Sequence, residues 1–217
     1  MRWSVLTDNL DILLQGLLVT LQVSVLAWLL AVAIGVVVAL LRVTRSRAAR
    51  FLGTAYVEFV RNVPLLVLIF FLFFALPDIG ITLSGFWAGV IGLGVYTGAF
   101  IGEVLRSGIL GVPRGQLEAA LSSGLTYLQA MRLVILPQAI RTTIPPLGNQ
   151  TINLIKNSSL TAAVSVFDIL GTANLIGSRT FAFTPVYIGA AMLYLVLTIP
   201  AAIGVNAVER RLRIGYR

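Results

Sequence analysis

The sequence predicts an all-α integral membrane protein with five transmembrane helices, an N-terminus outside the cell and a C-terminus in the cytoplasm. Of the 217 residues, 58% are hydrophobic and only 11% are charged, and the mean hydropathy is +0.96. In a soluble domain, about a quarter of the residues are charged. Several uncharged segments exceed the roughly 20 apolar residues that a helix needs to cross about 30 Å of hydrocarbon. Arginine is concentrated in three segments outside these apolar stretches.

The apolar stretches predict five spans within one membrane domain, residues 1–217. The spans lie at about 12–41, 51–76, 79–105, 140–160 and 182–208. The first is uncharged and follows Asp8 and Asp11 rather than a basic segment, so it is a retained span and not a signal peptide. We expect Asn62-Val63-Pro64 to bend or open the second span, because proline removes a backbone donor.

The distribution of basic residues predicts the orientation. Twelve of the 16 basic residues lie in three segments: Arg42, Arg45, Arg47 and Arg50; Arg106, Arg114, Arg132 and Arg141; and Arg210, Arg211, Arg213 and Arg217. With five spans, all three segments fall on one side of the membrane, and an excess of Arg and Lys marks the cytoplasmic side. The other side has only Arg2 and Arg179. The net charge of +8 therefore indicates topology rather than binding to nucleic acid.

The residue types exclude most catalytic chemistry. The chain has no His and no Cys, which excludes disulfides, thiol nucleophiles and imidazole bases. A P-loop needs G-x-x-x-x-G-K-[ST], and the only lysine, Lys156, follows Leu154-Ile155 and cannot supply it. We see no paired carboxylates or Ser-centred constellation. We therefore predict no catalytic or metal-binding residues, no cofactor bound by this chain, and no enzyme activity.

The segment between the third and fourth spans predicts an amphipathic helix over about 115–132. Its apolar face comprises Leu117, Ala120, Leu121, Gly124, Leu128 and Met131. Pro113 precedes the helix, and Pro137 is expected to close it. Such a helix could rest on lipid headgroups or provide a docking surface for a soluble partner.

Within this segment, the order of residues resembles the EAA motif of ABC-importer permeases. The matching residues are Glu118-Ala119-Ala120, Gly124, Val134 in place of the usual Ile, and Leu136-Pro137. Three longer blocks are similar to the polar amino-acid group of these permeases: 57–67, 103–120 and 136–160. The stretch TAYVEFVRNVPLL looks closest to glutamate-type permeases. The resemblance extends over roughly 12–213.

The resemblance implies a permease subunit in the cytoplasmic (inner) membrane of a prokaryote. Its loop helix would couple to a cytoplasmic ABC ATPase dimer, which binds ATP and Mg. The coupling residues would be Glu118, Ala119, Ala120, Gly124, Leu136 and Pro137. A second permease subunit, identical or related, would complete the pathway, and an extracytoplasmic amino-acid-binding protein would deliver the substrate.

Two details of the coupling helix stay open. Gly124 lacks a Cβ and could allow either a close approach to the partner or a bend between two short helices. Glu118 could pair with an arginine of the partner or cap its own helix.

The resemblance favours a polar amino acid as substrate, with glutamate, aspartate and glutamine first. A basic amino acid or another small solute is the alternative. A secondary carrier or small channel is a further alternative, but it would need no EAA-type helix and a carrier would more often show inverted repeats.

Polar residues on the fourth span are candidates for the substrate pathway. Asn149, Asn153, Lys156 and Asn157 share one helical face, which Ser158 and Ser159 extend. Polar side chains within a span usually face protein or water. An ammonium could attract a carboxylate, and amides could bind an amino-acid headgroup. The alternative is hydrogen bonding between helices. Gln22 on the first span could face the same interior.

Two shorter patterns complete the prediction. Glu58 with Arg61, and Glu103 with Arg106, have the i, i+3 spacing of local ion pairs. Apolar residues at helical spacing from 166 to 173 predict a short helix on the outer face.

Overall fold

The computed structural model describes residues 3–214, and within that range all regular structure is helical. The α-helices are α1 (Ser4–Asp8), α2 (Leu10–Val43), α3 (Arg47–Asn62), α4 (Leu65–Phe70), α5 (Gly85–Leu110), α6 (Arg114–Ser122), α7 (Tyr127–Ala130), α8 (Leu136–Asn157), α9 (Ile169–Thr180) and α10 (Phe183–Ile214). Two π-helical segments, Phe71–Ala75 and Met131–Ile135, and two 3₁₀ segments, Leu76–Ile79 and Ser158–Val164, join some of them. The all-α prediction is confirmed for this range. Arg2, Arg217 and the side chain of Arg213 lie outside the described residues.

Three helices are long and apolar enough to cross a membrane: Leu10–Val43, Gly85–Leu110 and Phe183–Arg211. Two bent helix pairs also qualify, Arg47–Asn62 with Leu65–Ile79 and Tyr127–Val164 with Ile169–Thr180. Between residues 3 and 214 there are thus three such helices, or up to five spans if each bent pair counts as one. The predicted number of spans equals this upper limit.

The predicted second span, 51–76, is not one continuous helix. It divides into Arg47–Asn62 and Leu65–Ile79, whose axes differ by 102°. Val63 has φ −96° and ψ 133°, an extended conformation, because the ring of Pro64 disfavours the helical region for the preceding residue. The bend predicted from Asn62-Val63-Pro64 is confirmed.

The prediction of one continuous helix over 115–132, closed by Pro137, is wrong, while its coupling role stays a prediction. α6 ends at Ser122, and a second helix begins at Tyr127 and continues through the π-helical segment Met131–Ile135 into α8. Pro137 lies in the first turn of α8. Proline lacks an N–H and is tolerated there, immediately after a π-helical turn that already departs from the α-helical hydrogen-bond pattern. The helix that contains the predicted fourth span, 140–160, therefore starts well before it.

The other helix boundaries are closer to the predicted ones. The predicted third span began at residue 79, whereas α5 begins at Gly85, where the Ser84 hydroxyl accepts a hydrogen bond from the Trp87 N–H at 3.4 Å. Serine is a favoured N-cap because its oxygen satisfies a free N–H of the first turn. A helix, α9, is confirmed at the position of the predicted short helix, whereas its place on the outer face stays a prediction.

The principal helix contact joins α2 to α5 along a row of small residues. A Cβ at Gly94, Gly98 or Gly102 would lie 2.7–2.8 Å from side-chain atoms of Leu30, Ile34 or Val38. Glycines four residues apart share a helix face and let two backbones approach closely, which is a common way for helices to pack in membranes. This row fixes α5 against α2.

Replacing Gly98 with leucine is expected to lower the free energy of unfolding by about 1–3 kcal/mol, as overpacking of a filled contact does. A Cβ there would meet Ile34 Cγ2 at 2.8 Å and the Ala31 carbonyl oxygen at 3.2 Å. Gly204→Leu on α10 is the control, since nothing lies within 4 Å of its Cβ position. The midpoint of thermal unfolding of the full chain in detergent is measured for both variants. Equal midpoints would contradict the packing explanation.

Buried polar bonds connect α9 with α2 and α10. The Asp168 side chain accepts from the Gly171 N–H at 2.8 Å and so caps α9. Its other oxygen accepts from the Tyr194 hydroxyl of α10 at 3.0 Å. The Ile169 N–H donates to Thr20 Oγ1 of α2 at 3.0 Å.

Most of α10 is not covered by the rest of the chain. Only 6% of its most apolar part is buried, so its outer surface is free to contact lipid or another subunit.

Candidate functional site

The turn between α6 and α7 has the geometry of a Schellman motif. Gly124 has φ +86°, a left-handed conformation that favours glycine. Its N–H donates to the Leu121 carbonyl at 3.0 Å, and the Leu125 N–H donates to the Ala120 carbonyl at 3.2 Å. Nothing lies within 4 Å of a Cβ built on Gly124. Of the two predicted roles for Gly124, the chain itself has the bend between two short helices.

The next helix starts with a capping box. The Thr126 hydroxyl accepts from the Gln129 N–H at 3.4 Å, while the Gln129 side chain accepts from the Thr126 N–H at 2.8 Å. These two bonds satisfy free N–H groups at the start of α7. Together the Schellman turn and the capping box hold α6 and α7 in a defined relative orientation.

The predicted coupling residues are mostly on the surface. Glu118, Ala119, Gly124, Leu136 and Pro137 are exposed, whereas Ala120 is buried and anchors α6. Glu118 makes no hydrogen bond or ion pair within residues 3–214, so the alternative that it caps its own helix is not observed. Leu128, next to the turn, is 76% exposed. This segment therefore presents acidic and apolar side chains that the chain itself leaves uncovered.

A cleft of about 410 Å³ opens between α3, α5 and α8. We call it the α5–α8 cleft. It is lined by Arg61, Phe100, Glu103, Val104, Ser107, Gly108, Gly111, Thr142, Thr143, Pro146 and Gln150. A Cβ at Gly108 would collide with Thr143, so the glycine lets α8 approach α5 beside the cleft. The cleft combines charged, hydroxyl and amide groups with an apolar wall.

The charges of the cleft centre on Glu103. Its carboxylate accepts from Arg106 Nη2 at 2.5 Å and pairs with Arg42 at the end of α2. The side chains of Arg42, Glu103 and Arg106 are 10%, 24% and 27% exposed, so the three charges are largely shielded from solvent. Guanidinium–carboxylate hydrogen bonds are stronger when both groups are charged. This triad connects the ends of α2 and α5.

The two predicted local ion pairs have different outcomes. Glu103–Arg106 is confirmed. Glu58–Arg61 is not formed in the part of the chain that the structure describes, because the Arg61 guanidinium lies over the Phe100 ring, 5.0 Å from its centroid. Arg61 therefore contributes an uncompensated positive charge to the α5–α8 cleft.

The polar face of α8 is open. Asn149, Asn153 and Lys156 are exposed, and Asn157 is half-buried. On another side of the helix, Trp28 Nε1 of α2 donates to Thr151 Oγ1 at 2.9 Å. Hydrogen bonding between helices therefore involves Thr151, while the predicted amide face lacks such partners among the described residues.

Three of the predicted pathway residues differ from this face. Ser158 is fully buried, and its hydroxyl donates to the Ile155 carbonyl at 2.7 Å, so it does not extend the open surface. The Ser159 hydroxyl donates to the Lys156 carbonyl at 2.8 Å. A regular α-helix turns about 100° per residue, which already places Ser158 roughly opposite Asn149, so the prediction that Ser158 extends this face is wrong. Gln22 is exposed on α2, and no hydrogen bond joins it to α8 in residues 3–214.

The described acidic side chains are dispersed rather than clustered. No group of three or more His, Cys, Asp or Glu side chains converges anywhere between residues 3 and 214. Glu103, the most clustered carboxylate, already pairs with two arginines.

Comparison with known proteins gives concordant matches. The family of binding-protein-dependent transport system inner membrane components matches residues 31–214. The probable glutamine ABC transporter permease protein GlnM of Bacillus subtilis (strain 168) is 50% identical over 216 residues, 100% of both chains. The probable amino-acid ABC transporter permease protein YckA of the same organism is 38% identical over 204 residues, 94% of this chain and 90% of its own. A solved structure described as an amino acid ABC transporter with histidines is 32% identical, with a TM-score of 0.93, and covers 97% of this chain and 99% of its own.

The chain belongs to the family of binding-protein-dependent transport system inner membrane components. This confirms the resemblance to ABC-importer permeases and the prediction of a multi-pass protein of a prokaryotic inner membrane. The likeness to glutamate-type permeases is less specific, since the relative with 50% identity is named for glutamine.

For an inner membrane transport component, two surfaces stand out: the α6–α7 segment and the α5–α8 cleft with the adjoining face of α8. The sequence indicated the first through the EAA pattern. It missed the Arg42–Glu103 ion pair beside the cleft, because the two residues are 61 positions apart and no local spacing relates them. The available signal was that both charges lie at span ends predicted to be on the same side of the membrane.

Proposed function

We propose that this chain is the permease subunit of an ATP-driven importer for a polar amino acid, with glutamine, glutamate and aspartate first. The single observation that carries the proposal is the α5–α8 cleft, which brings Arg61, Thr142 and Gln150 together between membrane helices. Such groups are costly in hydrocarbon and usually face a solute pathway or another protein. The name of GlnM, at 50% identity over the full length, supports glutamine.

In this proposal each bent helix pair contains one membrane crossing, giving five spans. The N-terminus is outside, and the arginine-rich segments, including α6 and α7, are cytoplasmic. The exposed surface around Glu118 and Gly124 contacts an ATPase dimer, which binds ATP and Mg. An extracytoplasmic binding protein delivers the amino acid to the opposite face.

A second permease subunit, identical or related, covers the open face of α8. Asn149, Asn153 and Lys156 are exposed on a helix that lies within the membrane, and lipid cannot satisfy amide and ammonium groups. Two such faces in apposition would enclose a polar pathway continuous with the α5–α8 cleft. Lys156 would attract the carboxylate of the substrate, and Asn153, Asn157 and Ser159 would contribute further polar groups.

A basic amino acid is the second candidate. The solved structure with a TM-score of 0.93 is described as a transporter with histidines, which favours this class. The carboxylate of Glu103 is the group in the cleft that a cationic side chain would seek, although Arg42 and Arg106 already neutralise it.

The test is reconstitution of the complete importer in liposomes, with ATPase and binding protein. We expect ATP-dependent uptake and substrate-stimulated ATP hydrolysis for glutamine, glutamate or aspartate, measured beside arginine and histidine. Preference for arginine or histidine over these three amino acids would support the second candidate. Unchanged uptake without ATP, with ion gradients intact, would indicate a secondary carrier instead.

Lys156→Gln is expected to raise the KM for uptake about tenfold, since a hydrogen bond to a charged group contributes about 1.5–3 kcal/mol and only part is lost to a neutral amide. Arg179→Gln is the matched control, because Arg179 is an exposed cation on α9, away from the α8 face. Equal KM values for both variants would exclude a substrate contact at Lys156.

A further inference from the structure

A second cavity, of about 360 Å³, lies where the ends of α2 and α5 meet α6, α7 and the π-helical segment. It is separate in lining from the α5–α8 cleft. Its walls are Val43, Ile109, Leu110, Val112, Pro113, Arg114, Leu117, Tyr127, Met131 and Ile135. Leu110 and Tyr127 are 62% and 51% exposed, so the cavity opens to the surface of the chain. Most of its lining side chains are apolar, and one of the lining residues, Arg114, is charged.

Two arginines lie at this cavity, and two more follow closely in the sequence. The Arg45 guanidinium lies over the Tyr127 ring, 5.7 Å from its centroid, and Arg114 is part of the wall. Arg47 and Arg50 are exposed on the adjoining turn of α3. None of these four arginines takes part in an ion pair within residues 3–214, since Glu103 is occupied by Arg42 and Arg106. From residue 42 to residue 57 the sequence contains no Asp or Glu.

We propose that this cavity binds an anionic phospholipid of the cytoplasmic leaflet, with its phosphate between Arg45 and Arg114 and part of an acyl chain within the cavity. Guanidinium groups bind phosphate through paired N–H donors. Basic pockets at the cytoplasmic ends of membrane helices suit anionic lipid headgroups. The proposal rests on the orientation given under Proposed function.

The apolar wall argues for a lipid rather than a soluble phosphate. A soluble anion would use the arginines but leave Val43, Leu117 and Ile135 facing an unfilled or hydrated apolar space. An acyl chain removes that surface from water, and each buried methylene contributes favourably. The cavity also lies at helix ends, where hydrocarbon gives way to headgroups, so a lipid reaches it without leaving the membrane.

The test uses the full chain in a neutral detergent, with lipid binding read by native mass spectrometry. Phosphatidylglycerol is titrated against phosphatidylcholine with the same acyl chains. We expect one phosphatidylglycerol to be retained preferentially. Arg45→Gln/Arg114→Gln should weaken its binding on the order of thirtyfold, because each arginine near the surface contributes about 1 kcal/mol and 1.4 kcal/mol is tenfold.

Two variants separate the site from general attraction. Arg132→Gln removes an exposed arginine of the same segment that does not line the cavity, and it should leave the affinity unchanged. Leu117→Trp fills the cavity, keeps every arginine, and should weaken binding of phosphatidylglycerol. Equal weakening by Arg132→Gln would overturn the proposal, as would unchanged affinity in the double variant.

Two further measurements address other occupants. Competition by glycerol phosphate at the same concentration as the lipid would point to a soluble anion and overturn the proposal. Loss of the lipid when the ATPase partner binds would assign this surface to that protein instead, and retention in the assembled importer would support the lipid. Because the readout is lipid binding and not transport, its failure is distinguishable from failure of the proposed import function.

Discussion

Gly124→Val is expected to reduce substrate-stimulated ATP hydrolysis by the reconstituted importer about tenfold or more. Gly124 has φ +86°, and an L-residue in that conformation costs about 1–2 kcal/mol, more when β-branched. Valine would open the turn and change the angle between α6 and α7, which the proposed ATPase contact requires. The chain should still insert, because nothing within 4 Å of the Cβ position would be displaced. The measurements are the amount of variant inserted in the membrane, the ATPase activity of the reconstituted importer and its amino-acid uptake.

Two substitutions make this result interpretable. Gly124→Asn should keep most of the activity, because asparagine tolerates the left-handed conformation better than other non-glycine residues. Gly115→Val on α6 adds the same side chain at an exposed position with open space around it and no left-handed backbone. If Gly115→Val and Gly124→Val reduced activity equally, surface bulk rather than turn geometry would be responsible.

Glu103→Gln is expected to be the most destabilising single charge removal in the cleft, lowering the free energy of unfolding by about 2 kcal/mol. Removing one partner of a buried ion pair leaves an uncompensated charge, and partial exposure of this triad reduces that cost. Here Arg42 and Arg106 would remain together without the carboxylate that both contact. The measurement is the midpoint of thermal unfolding of the full chain in detergent.

The matched control is Glu58→Gln on α3. Glu58 is exposed, and its side chain forms no ion pair among the residues that the structure describes, so the midpoint should stay within error. Arg42→Gln/Glu103→Gln should recover part of the loss by removing one of the two repelling cations. A double variant that is no more stable than Glu103→Gln would mean that the repulsion between arginines is unimportant.

The sequence predicted features that local chemistry controls. Pro64 breaks the second span where the ring excludes a helical Val63, and the i, i+3 spacing of Glu103 and Arg106 gives the ion pair. Gly124 was also identified, yet hydrophobic periodicity favoured one helix through it. The Schellman turn prevailed because a glycine that can adopt φ +86° allows free carbonyls of α6 to be satisfied within four residues.

Local spacing in the sequence could not predict the contact between Arg42 and Glu103, and it was misapplied at Ser158. Arg42 meets Glu103 only after α2 and α5 pack along their small residues. Ser158 is a different case: on a regular α-helix it lies roughly opposite Asn149, so helical spacing itself excludes it from the polar face, in agreement with its burial. Residue spacing describes the faces of one regular helix, and it carries no information about which residues of two helices meet.

The continuity of helical structure from Tyr127 to Asn157 has a mechanical consequence. A helix advances about 1.5 Å per residue, so this single rod extends roughly 45 Å from the turn at Gly124 to the amide face of α8. A displacement at the Gly124 end would therefore reach Lys156 through the backbone of one continuous helix, without a series of side-chain rearrangements. Pro145 and Pro146 lie within it, and each lacks a backbone N–H. Both prolines lie about three helical turns before Lys156, so any bend at them would change the direction in which the amide face points.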